Sequence, residues 1–308
     1  MTLKTKKTAV FAKKETTYGT AVALTGAAAI RTHGAKLTAF NATEIKRDLD
    51  GSGFGSTGTI HSGAHVMLEF DCELAGSGAA GTRPAFGDLF LACAMSETIV
   101  AVTSVTYAPA SSSTDSLTMY CEIDGQRHAL IGARGTWQLK VDSQGIPYIH
   151  FNFTGMWVDP LSATALVPDF SGFKTPRPIA FDYTPEISLH ALSSVYKSFG
   201  FDFGNQVEFF DNPGEQSVEI TDRKCSGSVS LLAPTLTVKN YFTAAKTDVA
   251  DVLTMVHGMT AGNIVTLNAP YAQILSPNYG DDKGRATIEA KLDIQRSVVD
   301  DEMTLAFT

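Results

Sequence analysis

Hydrophobic and polar positions alternate along much of the chain. Val66, Leu68, Phe70, Cys72 and Leu74 are separated by Met67, Glu69, Asp71 and Glu73. A strand sends successive side chains to opposite faces, so this segment predicts one apolar face on a core and one carboxylate face away from it. Leu117, Met119, Cys121 and Ile123 form a second such set and run into Asp124-Gly125, a two-residue hairpin signal. Trp137, Leu139 and Val141 alternate with Gln138, Lys140 and Asp142. Ser143-Gln144-Gly145 then returns the chain into Ile149, Phe151 and Phe153. The pattern predicts an all-β fold with one or two short helices. Pro84–Met95 carries Phe86, Leu89, Phe90 and Cys93 at helical spacing. Thr247–His257, with Val249, Val252, Leu253 and Val256, is a weaker helix candidate.

The second half resembles the first. Thr136–Asp142 (TWQLKVD) matches Thr287–Asp293 (TIEAKLD) in its apolar and polar positions, and Val66–Leu74 has a counterpart in Cys225–Pro234. A period this long predicts a duplicated domain rather than a solenoid. The expected division is an N-terminal arm at 1–36, a β domain at 37–158, a proline-rich linker at 159–185 and a second β domain at 186–308. The linker carries Pro160, Pro168, Pro176, Pro178 and Pro185, a density that favours extended chain. Asp48–Gly63 is glycine-rich and shows no strand pattern; a connection that long suggests partner contact.

With 308 residues, 44% of them apolar and 18% charged, the chain has enough apolar content for a sizeable core. A formal net charge of −8 argues against a protein that grips nucleic acid, which draws its affinity from Lys and Arg on phosphates. The Ala9–Ala12 apolar stretch is too short for a secretory signal, and no run is long enough for a membrane helix. Cys72, Cys93, Cys121 and Cys225 lack metal-ligand spacing and read as free thiols in a reducing compartment.

Catalytic patterns are missing. There is no G-x-S-x-G elbow, no H-E-x-x-H and no P-loop. His61 and His65 read as loop and strand residues. Asp281, Asp282, Asp300, Asp301 and Glu302 lack the spacing of a calcium loop. Neither an enzyme nor a cofactor or metal site is expected.

One resemblance covers nearly the whole chain. Ala12–Arg31 (AKKETTYGTAVALTGAAAIR) is similar to the opening of tail tube proteins of long-tailed, siphovirus-like bacteriophages, with its E-x-T-Y-G-T and alanine-rich segment. In the same order follow an acidic-basic strand (Glu44–Asp50), a glycine-rich loop and a strand ending in ELAGSG (Glu73–Gly78). Then come a proline-containing helix (Arg83–Ala94), FDFGNQVEF (Phe201–Phe209) and EITDRKCSGSVSLLAP (Glu219–Pro234).

The resemblance implies tandem tail-tube-type β-sandwich or partial-barrel domains whose inner sheets join into a ring-shaped barrel. It implies a structural virion protein, made in the bacterial cytoplasm, that stacks in rings to form the conduit for DNA ejection. Two fused tube domains imply a homotrimeric, pseudo-sixfold ring; without duplication a homohexamer is the alternative. The expected partners are the protein itself, a tape measure protein and tail tip or terminator proteins, with phage DNA passing unbound. The expected lumen-facing residues are Glu69, Asp71, Glu73, Gln138, Lys140, Asp142, Glu289, Lys291 and Asp293. Asp48, Asp50, Phe54 and Ile60 of the loop, with Phe11 and Tyr18 of the arm, are the expected contacts between rings. A baseplate, terminator or capsid decoration protein and a soluble β-sandwich binding module are the competing readings.

Overall fold

The computed structural model describes every residue except Met1, Ser52 and Thr114. Met1 of the arm and Ser52 of the glycine-rich loop therefore lie outside the described residues. The first half contains β1 (Thr8–Lys14), β2 (Ala29–Ile30), β3 (His33–Lys46), β4 (Thr59–Glu73), helix α1 (Gly87–Leu91), β5 (Met95–Val100), β6 (Ser104–Pro109), β7 (Leu117–Ile123), β8 (Gln126–Asp142), β9 (Tyr148–Trp157) and β10 (Leu161–Ser162). The second contains β11 (Glu186–Leu189), β12 (Leu192–Ser193), β13 (Tyr196–Asp202), β14 (Asn205–Asn212), β15 (Glu215–Arg223), β16 (Ser226–Leu232), α2 (Tyr241–Lys246), β17 (Ala250–His257), β18 (Val265–Asp282), β19 (Arg285–Ile294) and β20 (Thr304–Phe307). Among the described residues the chain is nearly all β, with two short α-helices and two single-turn 3-10 helices, and no helix is long and apolar enough to cross a membrane.

The alternating segments fold as their pattern demands. Val66, Leu68, Phe70, Cys72 and Leu74 are at most 1% exposed, as are Trp137, Leu139, Ile149, Phe151 and Phe153. Asp124 (φ 47°) and Gly125 (φ 87°) turn β7 into β8 with both residues left-handed, the geometry that matches the twist of the flanking strands. All four cysteines are buried and unpaired, and burial pushes the Cys121 and Cys225 thiols up to about 12.

Strand pairing recurs between the halves. In the first, β1 pairs β2 and β7, β7 pairs β8, β8 pairs β9 and β10, β9 pairs β4, and β4 pairs β3. In the second, β11 pairs β12 and β17, β17 pairs β18, β18 pairs β19 and β20, β19 pairs β16, and β16 pairs β13. Each half places its helix after the fourth of these strands. Among the described residues the β5–β6 hairpin has no strand counterpart, and β14–β15 stands where the first half has the outer part of the β3–β4 hairpin.

This topology corrects the sequence match. Val66–Leu74 and Cys225–Pro234 do correspond, as β4 and β16. TWQLKVD lies in β8 and TIEAKLD in β19, whereas pairing matches β8 to β18 and β9 to β19. Strands with the same apolar period look alike whatever their place in a sheet.

Two seams join the halves. β8 pairs antiparallel with β13, giving the continuous order β3–β4–β9–β8–β13–β16–β19–β18 with every neighbour antiparallel. On the covering layer, β6 pairs with β20. β8 and β18 serve both layers: their N-terminal parts pair with β7 and β17, their C-terminal parts with the long sheet. Between the layers, Phe90 of α1 lies 4.9 Å from Tyr107 of β6 and 5.3 Å from Trp137 of β8. One core cluster spans both halves.

Three local expectations change. The first helix is shorter than Pro84–Met95, because Ala94 turns left-handed (φ 56°) and β5 begins at Met95. Thr247–His257 is mostly strand, since β17 is clasped between β11 and β18 and buries Leu253, Met255 and His257 at period two. Thr59–Gly63 belongs to β4 rather than to a structureless loop.

Candidate functional site

The long sheet has one core face and one polar face. Directly opposed residues in a ladder share a face, so a row can be followed across all eight strands: His33, Asp71, His150, Gln138, Asp202, Ser226, Asp293, Gln273. A second row runs Glu73, Tyr148, Lys140, Gly200, Ser228, Lys291, Leu275. A third runs Asp142, Ser198, Ser230, Glu289, Asn278, and Glu69 lies opposite Lys36 and Asn152. All nine residues expected to line a lumen therefore lie on one face of one sheet, and none is buried.

Carboxylates outnumber cations on this face. Glu69, Asp71, Glu73, Asp142, Asp202, Glu289 and Asp293 stand with Lys36, Lys140 and Lys291, and at the end of β18 Asp282 lies opposite Arg285 and pairs with Lys197. The His150 ring approaches Asp71 at 2.7 Å, and Lys36 approaches Glu69 at 3.3 Å. Burial raises the Asp202 carboxyl above its ordinary value, opposed by the Gly204 N–H and the Gln138 amide that donate to it. Asp202, His150 and Lys36 escaped sequence reasoning; only cross-strand register brings them to this face.

The sheet also has two free edges. Among the described residues, β3 pairs only with β4, and β18 beyond Gln273 pairs only with β19. The inner seam shows what such an edge looks like when covered. There Phe90 of α1 meets Trp137 of β8 edge to face, and Phe201 and Phe203 pack on Trp137 at 5.4 Å. All four rings are fully buried. At the free edge, Phe242 of α2 meets Tyr279 of β18 at 5.0 Å, yet Tyr279 is 60% exposed and Leu236 beside it 54%. Leu37 and Ala35 of the β3 edge are only partly buried against the core.

The arm is docked on the first half: β1 pairs with β7 over its whole length, and Phe11, expected at a contact between rings, is fully buried with Leu24 and Ala29. Glu15 is 5% exposed and accepts four hydrogen bonds, from Gly19 N–H, Ser116 Oγ, Thr118 Oγ1 and Gly132 N–H. Tyr18 holds the separate β14–β15 hairpin, since its hydroxyl accepts the Val218 N–H at 2.6 Å and the Arg134 guanidinium covers its ring. Asp48, Asp50, Phe54 and Ile60 are exposed around the tip of the β3–β4 hairpin. The proline-rich segment is mostly exposed and contains turns at 171–172 and 181–183, while Leu166 and Phe170 pack on the Phe11 cluster.

No grouping of three or more metal-binding side chains exists among the described residues. His65 stacks on Phe209 and meets Asn41 and the Gly63 carbonyl, Asp282 pairs with Lys197, and Asp300 and Glu302 pair with Arg223.

No curated protein matches the chain in sequence. The family described as Phage tail tube protein matches it across residues 5–296, and the chain belongs to that family of structural phage tail tube proteins.

Proposed function

We propose that the chain closes into rings of three copies, that the polar sheet face lines the lumen, and that stacked rings form the conduit through which phage DNA leaves the particle. The β8–β13 seam carries this reading. It joins the last long-sheet strand of one repeat to the first of the next. The same relation between copies sets β18 of one against β3 of its neighbour. Strand directions alternate along the whole sheet, so that junction is antiparallel too. Closing the ring leaves no free edge in the inner sheet, which relieves the aggregation hazard of two unpaired strands. The repeated pairing supports two fused tube domains per chain, and six domains per ring then correspond to three chains. A ring of six chains is the alternative if each chain supplies one unit.

The face assigned to the lumen is rich in carboxylates and offers phosphates few cations, so DNA gains no counterion release by adhering to it. A tape measure protein within the tube and tip and terminator proteins at its ends complete the assembly, in the tail of the virion.

The test is a charge at the free edge. Tyr279→Asp is expected to leave a folded subunit with unaltered melting that forms no rings by electron microscopy. Rings of wild-type abundance from that variant contradict the β18–β3 junction.

A further inference from the structure

We propose that the tip of the β3–β4 hairpin seats on the bend of β18 in the neighbouring copy of the same ring; the proposal rests on the ring reading above. The chain contains the corresponding contact once already. The β14–β15 hairpin springs from between β13 and β16, as the β3–β4 tip springs from between β3 and β4. It does not continue the long sheet but leans over β8, β9 and β4 of the adjoining repeat. Its anchor is Val218, fully buried and held by Tyr18 and Arg134 beside the β8 bulge, where the register slips between Leu130 and Ala133.

β18 has the matching bulge, where the register slips between Ala269 and Ala272. Its inner side is covered, with Ala269 and Ala272 fully buried and the Ala272 carbonyl bonded by His190, while its outer side is open. Tyr271 is 37% exposed there, and the segment that follows through the Gln295 N–H bond to the Tyr271 carbonyl leaves Val298 65% exposed. The hairpin without a seat is the β3–β4 tip. Every described residue from 43 to 62 is exposed, and Ile45 and Ile60 stand directly opposite each other at about half exposure. A two-stranded ribbon with an open apolar pair is marginal alone and gains from a second surface. Because β3 adjoins the neighbour's β18 in the ring, the tip starts beside the open outer side of that bend, where Tyr271 and Val298 are exposed, as β14–β15 starts beside β8. The occupant is therefore a second copy within the ring, and Ile60 makes a lateral contact rather than one between rings.

The test is disulfide trapping in assembled protein. Ile60→Cys combined with Val298→Cys, and separately Ile45→Cys with Val298→Cys, place thiols only at exposed positions, and the four native thiols are buried. After mild oxidation of rings verified by electron microscopy, denaturing gels are expected to show linked species that stop at three chains. A ladder running past three chains in stacked tubes overturns the proposal by placing the tip between rings. Rings in which neither pair links overturn it while leaving the ring reading intact. If the folded variants and the wild type alike form no rings, the ring reading falls and takes this contact with it.

Discussion

The Tyr18 hydroxyl accepts the backbone N–H of Val218, 200 residues away, at 2.6 Å. The tyrosine of the E-x-T-Y-G-T segment thereby anchors a hairpin of the second half to the first. Tyr18→Phe removes the acceptor and is expected to cost about 1 kcal/mol of global stability. Hydrogen exchange localises the effect: the β14–β15 amides are expected to lose protection ahead of β4 and β9.

Glu15 in the same segment is costlier to lose. Its carboxylate collects donors from β7, β8 and its own turn, and Glu15→Ala strands them in a dry environment. An expected loss of about 2–4 kcal/mol follows from leaving several buried donors unsatisfied. Chemical denaturation reads it directly, and a loss below about 1 kcal/mol contradicts the assignment.

Two aromatic pairs should separate folding from assembly. Trp137→Ala empties a packed site and is expected to destabilise the subunit by about 3–5 kcal/mol. Tyr279→Ala removes a largely exposed ring and is expected to change melting of the free subunit by under about 1 kcal/mol while weakening ring formation. Parallel melting and assembly assays check both.

Acid should weaken the fold through two buried histidines. Burial lowers the proton affinity of His190, whose Nε2–H donates to the Ala272 carbonyl, with Asp251 raising it and Lys239 lowering it. Burial likewise lowers His257, which faces Thr184, against a backbone bond to Arg177 that raises it. The unfolded chain binds these protons more readily, near pH 6.5, so the stability is present above that value and is lost as pH falls through it. Denaturation curves at pH 7.5 and 5.5 are expected to show the loss, and His190→Gln to reduce it.

Much of this was legible in the sequence, for physical reasons. In β4 the register is uninterrupted from Met67 onward against β9, so Val66 to Leu74 announces its buried face and Glu69 to Glu73 the polar one. The end of β18 does not announce itself. A bulge between Leu275 and Asn278, containing Pro277, shifts the parity, so that Ile274 and Tyr279 share a face although they are five residues apart. That shift concealed the free-edge aromatic. Val249 to His257 supports both a helical and a strand period, and only pairing on both sides decides it. The burial of Phe11 is not legible in the arm itself, because it depends on β7, more than a hundred residues away.

The mass of an isolated ring tests the central claim most directly. Purified protein assembled at raised concentration, imaged by electron microscopy and weighed by native mass spectrometry, is expected to give rings of six similar lobes containing three chains. Six-lobed rings of six chains contradict the fused repeat, and protein recovered from virions in any part other than the tail shaft contradicts the tube itself.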